Sequence, residues 1–178
     1  KATLAGDIPE KLTLLIGSRA EFSGRPDGAR FNAAYAIGPE KQLLGLTLKR
    51  RLFPFGEFMP LGKYCPALYE LSPGTEKLSP GGETDLIEVK GAKLGALICY
   101  EDLYTGMAGL LARKGADILV DISNEIGFGN GMAPRQHLML SALRAVETRR
   151  FFFRAANTGV SAVIDPCGRL VRSLADRK

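Results

Sequence analysis

The stretch KLGALICYEDLYTGMAGLLARKGADILVDIS, residues 93–123, decides the fold class of this chain. KLGALIC (93–99) reads as a short apolar strand that stops on a cysteine, followed at once by Tyr100, Glu101 and Asp102. Leu103, Met107, Leu110 and Leu111 then recur at helical spacing and end at Gly115, which predicts a helix over about 104–114. ADILVDIS (116–123) is a second apolar run and reads as a buried strand.

Outward from this unit the chain alternates between hairpins and strand-helix segments. On the N-terminal side LTLLIG (12–17) is strand-like, and FNAAYAIG (31–38) faces QLLGLTLK (42–49) across a Gly-Pro-Glu-Lys turn, which predicts a hairpin. DLIEVK (85–90) forms a second hairpin with 93–99, joined at Gly91-Ala92. Between the hairpins, residues 59–84 hold four of the ten prolines and several glycines and read as a long loop or lid. On the C-terminal side Pro134 stands where a first helical turn tolerates it, and Leu138, Ala142, Ala145 and Val146 line one face of a helix over about 134–149. FFFRAAN (151–157), VSAVID (160–165) and RLVRSL (169–174) complete the strands, with Phe151 to Phe153 read as a core strand. Hairpins mixed with strand-helix-strand units predict an α/β (α+β) domain of mixed sheets covered by helices.

Composition bounds the rest. The 178 residues suit one domain, and 46% hydrophobic with 24% charged residues is ordinary for a globular chain. No apolar run reaches the roughly 20 residues a membrane helix requires, so the chain by itself is read as soluble. A net charge of +5 permits contact with acidic surfaces. The basic residues are dispersed, however, and no nucleic-acid module is expected. The start, KATLAGDIPEK, has no signal-peptide pattern and no initiating methionine, so both termini are expected to be cuts within a longer protein. Three cysteines, Cys65, Cys99 and Cys167, sit in no metal-ligand spacing, and His137 is the only histidine, so neither a metal nor a cofactor is expected.

The chemistry-bearing candidates follow from residue type and placement. Cys99 ends a strand just before a helix, a bend where free backbone N–H groups favour a thiolate nucleophile; a buried structural thiol would look the same in sequence. Acyl chemistry at a thiol also needs a proton acceptor and a cation for the tetrahedral oxyanion. In LKRRLFPFGEF (48–58), Pro54 and Gly56 turn the chain so that Glu57 can fold back toward Lys49, although on these residues alone a solvated basic patch before an ordinary turn is the favoured reading. Asn124 and Gly129 either border the pocket or simply form a turn, and His137 is read as a structural hydrogen-bonder. Arg144 and Glu147 are spaced for an ion pair on one helix face. Arg154, in an otherwise apolar strand, is expected to be buried against a carboxylate as scaffold. Cys65, in the Pro/Gly-rich loop, and Cys167, in a turn, are read as incidental.

Six stretches in order then carry a resemblance: K-x-x-L-x-P-F-G-E (49–57), C-Y-E (99–101), SNEIGFG (123–129), PRQH (134–137), RAVETRR (144–150) and RAANTGVSAVIDPCGR (154–169). Together they resemble the nitrilase, or carbon-nitrogen hydrolase, superfamily, and within it the catalytic domain of bacterial apolipoprotein N-acyltransferases. The resemblance implies a four-layered α-β-β-α sandwich, a single catalytic domain over 1–178, and a Glu-Lys-Cys triad. It puts the nucleophile on Cys99, the lysine on Lys49, a supporting carboxylate on Glu57, and pocket-shaping roles on Tyr100 and Glu101. It further implies a phospholipid acyl donor, a lipoprotein acceptor, and a domain facing the periplasm from the bacterial inner membrane, its membrane helices lying outside this chain. An oligomer is compatible with it.

Two departures stand out. The family's general-base glutamate precedes the strand matched to LTLLIG by a whole helix, so Glu10, two residues before that strand, is read as a decoy and the base is expected upstream. The family usually carries Trp where this chain has Gly127. Two alternatives stay open: a soluble amidase of the same superfamily that hydrolyses a carbon-nitrogen bond, and a catalytically silent fragment.

Overall fold

The computed structural model describes residues 12–23, 28–83, 86–129 and 131–174, which leaves Glu10 and Asp85 outside the described residues. A three-stranded antiparallel sheet comes first, with β1 (Leu14–Glu21), β2 (Arg30–Ile37) and β3 (Leu43–Leu48) in sequence order. A six-stranded sheet follows in the order β4 (Ile87–Val89), β5 (Ala92–Ile98), β6 (Ile118–Ser123), β7 (Phe151–Ala156), β8 (Ser161–Ile164) and β9 (Leu170–Leu174). β5, β6 and β7 are parallel, and the outer pairs are antiparallel. The parallel strands are joined through α1 (Thr105–Arg113) and α2 (Ala133–Thr148), as parallel pairing demands a crossover.

Side-chain alternation sorts the layers. Leu97, Leu119 and Phe152 point from neighbouring parallel strands to the same face and pack with Met107, Ala108 and Leu111 of α1 and Ala145 of α2. Gly95 lets α1 approach closely, because a Cβ there would lie only 3.0 Å from Leu111. The opposite face meets the three-stranded sheet through Ala36, Ile87 and Ala96, and Gly17 faces Ile122 where β1 crosses β6. The result is helices on a mixed sheet on a second sheet.

The second hairpin turns at Lys90 and Gly91, both with positive φ (52° and 81°), the geometry of a tight two-residue hairpin loop. Ala92 already belongs to β5, one residue earlier than the sequence placed the turn. Phe151 to Phe153 are not uniformly core: Phe152 is fully buried, whereas Phe151 and Phe153 project from the other face and are 44% and 39% exposed. The strand alternates because only its helix-facing side lies under α2. Residues 59–83 form an irregular strap with one 3-10 turn at Pro66–Tyr69. No helix among the described residues is long and apolar enough to cross a membrane.

Candidate active site

The parallel strands deliver three loops to one edge of the sheet, the carboxyl ends where open α/β sheets form their sites. Cys99 follows β5, Asn124 follows β6 and Asn157 follows β7. Cys99 has φ of +55°, a left-handed conformation that a non-glycine residue adopts at a cost and that a 3-10 turn over Cys99–Leu103 holds in place. Its Sγ lies 3.8 Å from the Asn124 carbonyl oxygen, to which the S–H donates. Asn124 is itself tied to β7, for the Asn157 side-chain amide donates to Asn124 Oδ1 at 2.8 Å and Asn157 Oδ1 accepts the Glu125 N–H at 2.9 Å.

Lys49 stands just beyond β3 and is 1% exposed, yet it is charge-compensated. Phe55, at φ +63°, reverses the chain and brings Glu57 back, so that Glu57 Oε2 accepts from the Lys49 ammonium at 2.7 Å. The same oxygen accepts the Phe53 N–H at 2.7 Å, and Asn32 of β2 donates its side-chain amide to Glu57 Oε1 at 2.8 Å. Burial pushes the Glu57 carboxyl upward, but the Lys49 charge and these hydrogen bonds outweigh it and hold Glu57 below its ordinary value. Of the two readings that the sequence left open for 48–58, the folded-back carboxylate is the one observed.

Glu101 joins the lysine segment to the cysteine turn. Its carboxylate is buried and accepts the backbone N–H groups of Arg50 (2.7 Å), Arg51 (3.0 Å) and Ile98 (3.0 Å). Burial raises its pKa against the pull of those three donors. Tyr100 packs among the rings of Phe53 (4.8 Å between centroids), His137 (5.4 Å) and Phe128 (5.7 Å). Burial, and then the neighbouring Cys99 sulfur, push its hydroxyl pKa upward.

The electrostatics of Cys99 differ from the sequence expectation of a favoured thiolate. The sulfur is half-buried, and burial pushes its pKa up; the Lys49 ammonium pulls it down, and Asp121 adds to the rise. The net direction is up, which favours the thiol over the thiolate. Loss of water around the sulfur outweighs the backbone dipoles at the bend.

Beneath this edge lies a buried ionic network between the sheet and α2. Arg154 of β7 donates to Asp102 and Asp121 at 2.7 Å each and to Glu125 at 2.5 Å. His137 bridges Glu125 through Nδ1 at 2.6 Å and Asp102 through Nε2 at 2.7 Å, and Ser141 Oγ donates to Asp102 at 2.5 Å. Because Asp102 belongs to the Cys99–Leu103 turn and Glu125 follows Asn124, this network fixes both backbone segments that flank the sulfur. Burial and the charge of Asp102 push Asp121 well above the ordinary carboxylate range despite Arg154, which favours its neutral acid. Arg144 is buried too, donating to the carbonyls of Asp102 and Leu103 as well as to Glu147 at 2.6 Å.

Arg154 is thus the buried scaffold that the sequence predicted, and His137 makes two structural hydrogen bonds. Sequence reasoning passed over Asn32, Asp121 and Asn157. One signal was there: Asp121 interrupts an apolar strand just as Arg154 does, and the two residues are register partners in β6 and β7. Gly127 and Gly129 are exposed in the loop after β6. Cys65 and Cys167 are exposed free thiols. No group of three or more His, Cys, Asp or Glu side chains placed to hold a metal ion occurs among the described residues.

Residues 9–178 match the carbon-nitrogen hydrolase family. The apolipoprotein N-acyltransferase of Azotobacter vinelandii is 38% identical, over 93% of this chain and 32% of its own length. That of Geobacter metallireducens is 35% identical, over 90% of this chain and 31% of its own length. The chain therefore spans about a third of the length of the curated relatives it matches. Among solved structures, an amidase from Nesterenkonia sp. superposes with a TM-score of 0.69 at 19% identity, covering 93% of this chain and 58% of that one. Saccharomyces cerevisiae Nit3, a nitrilase-superfamily member, gives 0.62 at 23%, covering 84% and 51%. These likenesses show the nitrilase fold.

Proposed function

The chain belongs to the carbon-nitrogen hydrolase family, and from that premise we propose that it carries the acyl-transfer site of an apolipoprotein N-acyltransferase. Cys99 is the nucleophile, Lys49 the oxyanion-stabilising cation, Glu57 its partner, Glu101 the clamp between them and Tyr100 a wall of the pocket. The observation that carries the reading is the convergence of two distant segments: the Lys49 ammonium, held by Glu57 at 2.7 Å, belongs to the segment that Glu101 ties to the Cys99 turn.

The reaction follows from this geometry. A base takes the Cys99 proton, and the thiolate attacks the ester carbonyl of a phospholipid. The oxyanion that forms is stabilised by the buried Lys49 ammonium, which the Glu57 carboxylate holds in direction at 2.7 Å. The intermediate expels the lysophospholipid alkoxide, which takes up a proton, and leaves a Cys99 thioester. The free amine of a diacylglyceryl-cysteine lipoprotein then attacks the thioester, yielding an amide and restoring the thiol. In this reading the chain is one catalytic domain of a longer inner-membrane enzyme, its site on the periplasmic side.

Sequence likeness favours acyl transfer over amide hydrolysis, since identity to the acyltransferases is 35–38% and to the amidase 19%. Incubating the enzyme with radiolabelled phospholipid tests the reading directly. A hydroxylamine-sensitive acyl label should form on Cys99 and vanish in Cys99→Ala; a label that survives in Cys99→Ala ends the assignment.

A further inference from the structure

Beside the nucleophile turn, and not lined by Cys99, lies a cavity of about 770 Å³ between the strap and the turn that ends at Tyr104. Four cations line it, Arg50, Arg51, Lys63 and Lys77, and no carboxylate does. Among the described residues none of the four forms an ion pair. Arg50 instead donates to Met107 Sδ at 3.3 Å, the Arg51 guanidinium lies 5.8 Å from the Tyr104 ring, and the Lys77 ammonium lies 4.7 Å from the Tyr69 ring. Glu70 lines a neighbouring hollow rather than this one.

Four uncompensated positive charges around one concavity repel one another, and an anion seated among them relieves that repulsion. The remaining walls are largely apolar, with Leu52, Phe58, Met59 and Leu78 among them, so the complementary ligand carries its negative charge on an apolar body. The cavity is also rigidly placed relative to the thiol. The N–H groups of Arg50 and Arg51 are held by Glu101, two residues beyond Cys99.

We propose that this cavity seats the phosphodiester head of a phospholipid, with Arg51, Lys63 and Lys77 as its charge contacts. The proposal rests on the acyl-transfer reading and adds the element that distinguishes a phospholipid from any other ester. Anchoring the head here leaves the ester of the same molecule to be presented at the neighbouring turn.

Methyl-labelled methionine NMR on the chain carrying Cys99→Ala tests it without any acyl transfer. Met59 lines the cavity, and Met139, 71% exposed on α2, serves as a control. Titration with monomeric dihexanoylphosphatidylglycerol should shift Met59 saturably and leave Met139 in place. Dihexanoylglycerol and inorganic phosphate should each bind about ten-fold more weakly or less, because one lacks the charge and the other the apolar body. Arg51→Gln/Lys63→Gln/Lys77→Gln should weaken the phosphatidylglycerol by about ten-fold or more. Equal binding of dihexanoylglycerol, equal binding of phosphate, or unchanged affinity in the triple variant or in Lys63→Glu alone each overturns the proposal. If Met59 responds as expected while the parent chain takes no acyl label, the acyl-transfer reading fails instead.

Discussion

The backbone N–H of Arg50 donates to the Glu101 carboxylate at 2.7 Å, and through this bond the residue after Lys49 is held two positions beyond Cys99. The segment that carries Lys49 and the turn that carries Cys99 are thereby joined by a buried acid whose hydrogen-bond partners are backbone N–H groups. In the proposed reaction Glu101 is a positioning residue, and because it binds backbone groups the contact constrains the main chain itself.

Removing that acceptor strands three buried donors. Glu101→Ala should destabilise the chain by about 3 kcal/mol or more, since each unpaired buried N–H costs about 1 kcal/mol or above. Glu101→Gln keeps one acceptor oxygen and should fall between Ala and parent. Urea unfolding monitored by circular dichroism reads the order; an Ala variant as stable as the parent would show that the clamp does not act.

Lys49 and Glu57 should behave as one unit. Glu57→Gln leaves the buried ammonium without its counter-charge and should cost about 3 kcal/mol, whereas adding Lys49→Met removes the stranded charge and should restore part of the loss. A double variant less stable than Glu57→Gln alone contradicts the pairing. Glu57 also contributes a pH dependence of known sign. Its folded pKa is depressed, so its stabilisation is full above the unfolded carboxylate value and is lost as pH falls through the folded one.

Burial raises the Cys99 pKa, and Lys49 is the main group opposing it. The rate of alkylation of Cys99 by iodoacetamide, followed by peptide mapping to separate it from Cys65 and Cys167, should therefore reach its midpoint above the value of about 8.5 for a free thiol. Lys49→Met should move the midpoint higher still. A midpoint below the free-thiol value would mean that the sulfur is better hydrated, or more strongly paired, than its surroundings here allow.

Asp121→Asn should be tolerated, because the neutral acid and the amide are nearly isosteric and Asp121 Oδ1 accepts no hydrogen bond among the described residues. The sign is opposite to that of Glu57. The Asp121 pKa is raised on folding, so the native state holds the proton more tightly and the parent loses stability as pH rises above the unfolded value of about 3.9. The stability of Asp121→Asn relative to the parent should therefore grow from pH 4 upward, a trend that paired denaturation curves at several pH values would reveal or refute.

What the sequence determined by itself is what depends on near neighbours along the chain. Period-2 and period-3.6 patterns around residues 93–123 set the strands and helices, and Pro54 and Gly56 marked the turn that returns Glu57 to Lys49. Ordered motifs supplied the family. Tertiary structure alone decided which groups share a charge and which lose their water. Arg154 meets Asp102 across 52 residues of chain, Glu101 accepts the backbone N–H groups of Arg50 and Arg51 from the segment after β3, and burial raises the Cys99 pKa where the bend alone favours a thiolate. Such outcomes turn on desolvation and on distances of a few ångströms between remote segments, quantities that do not exist until the sheets are packed.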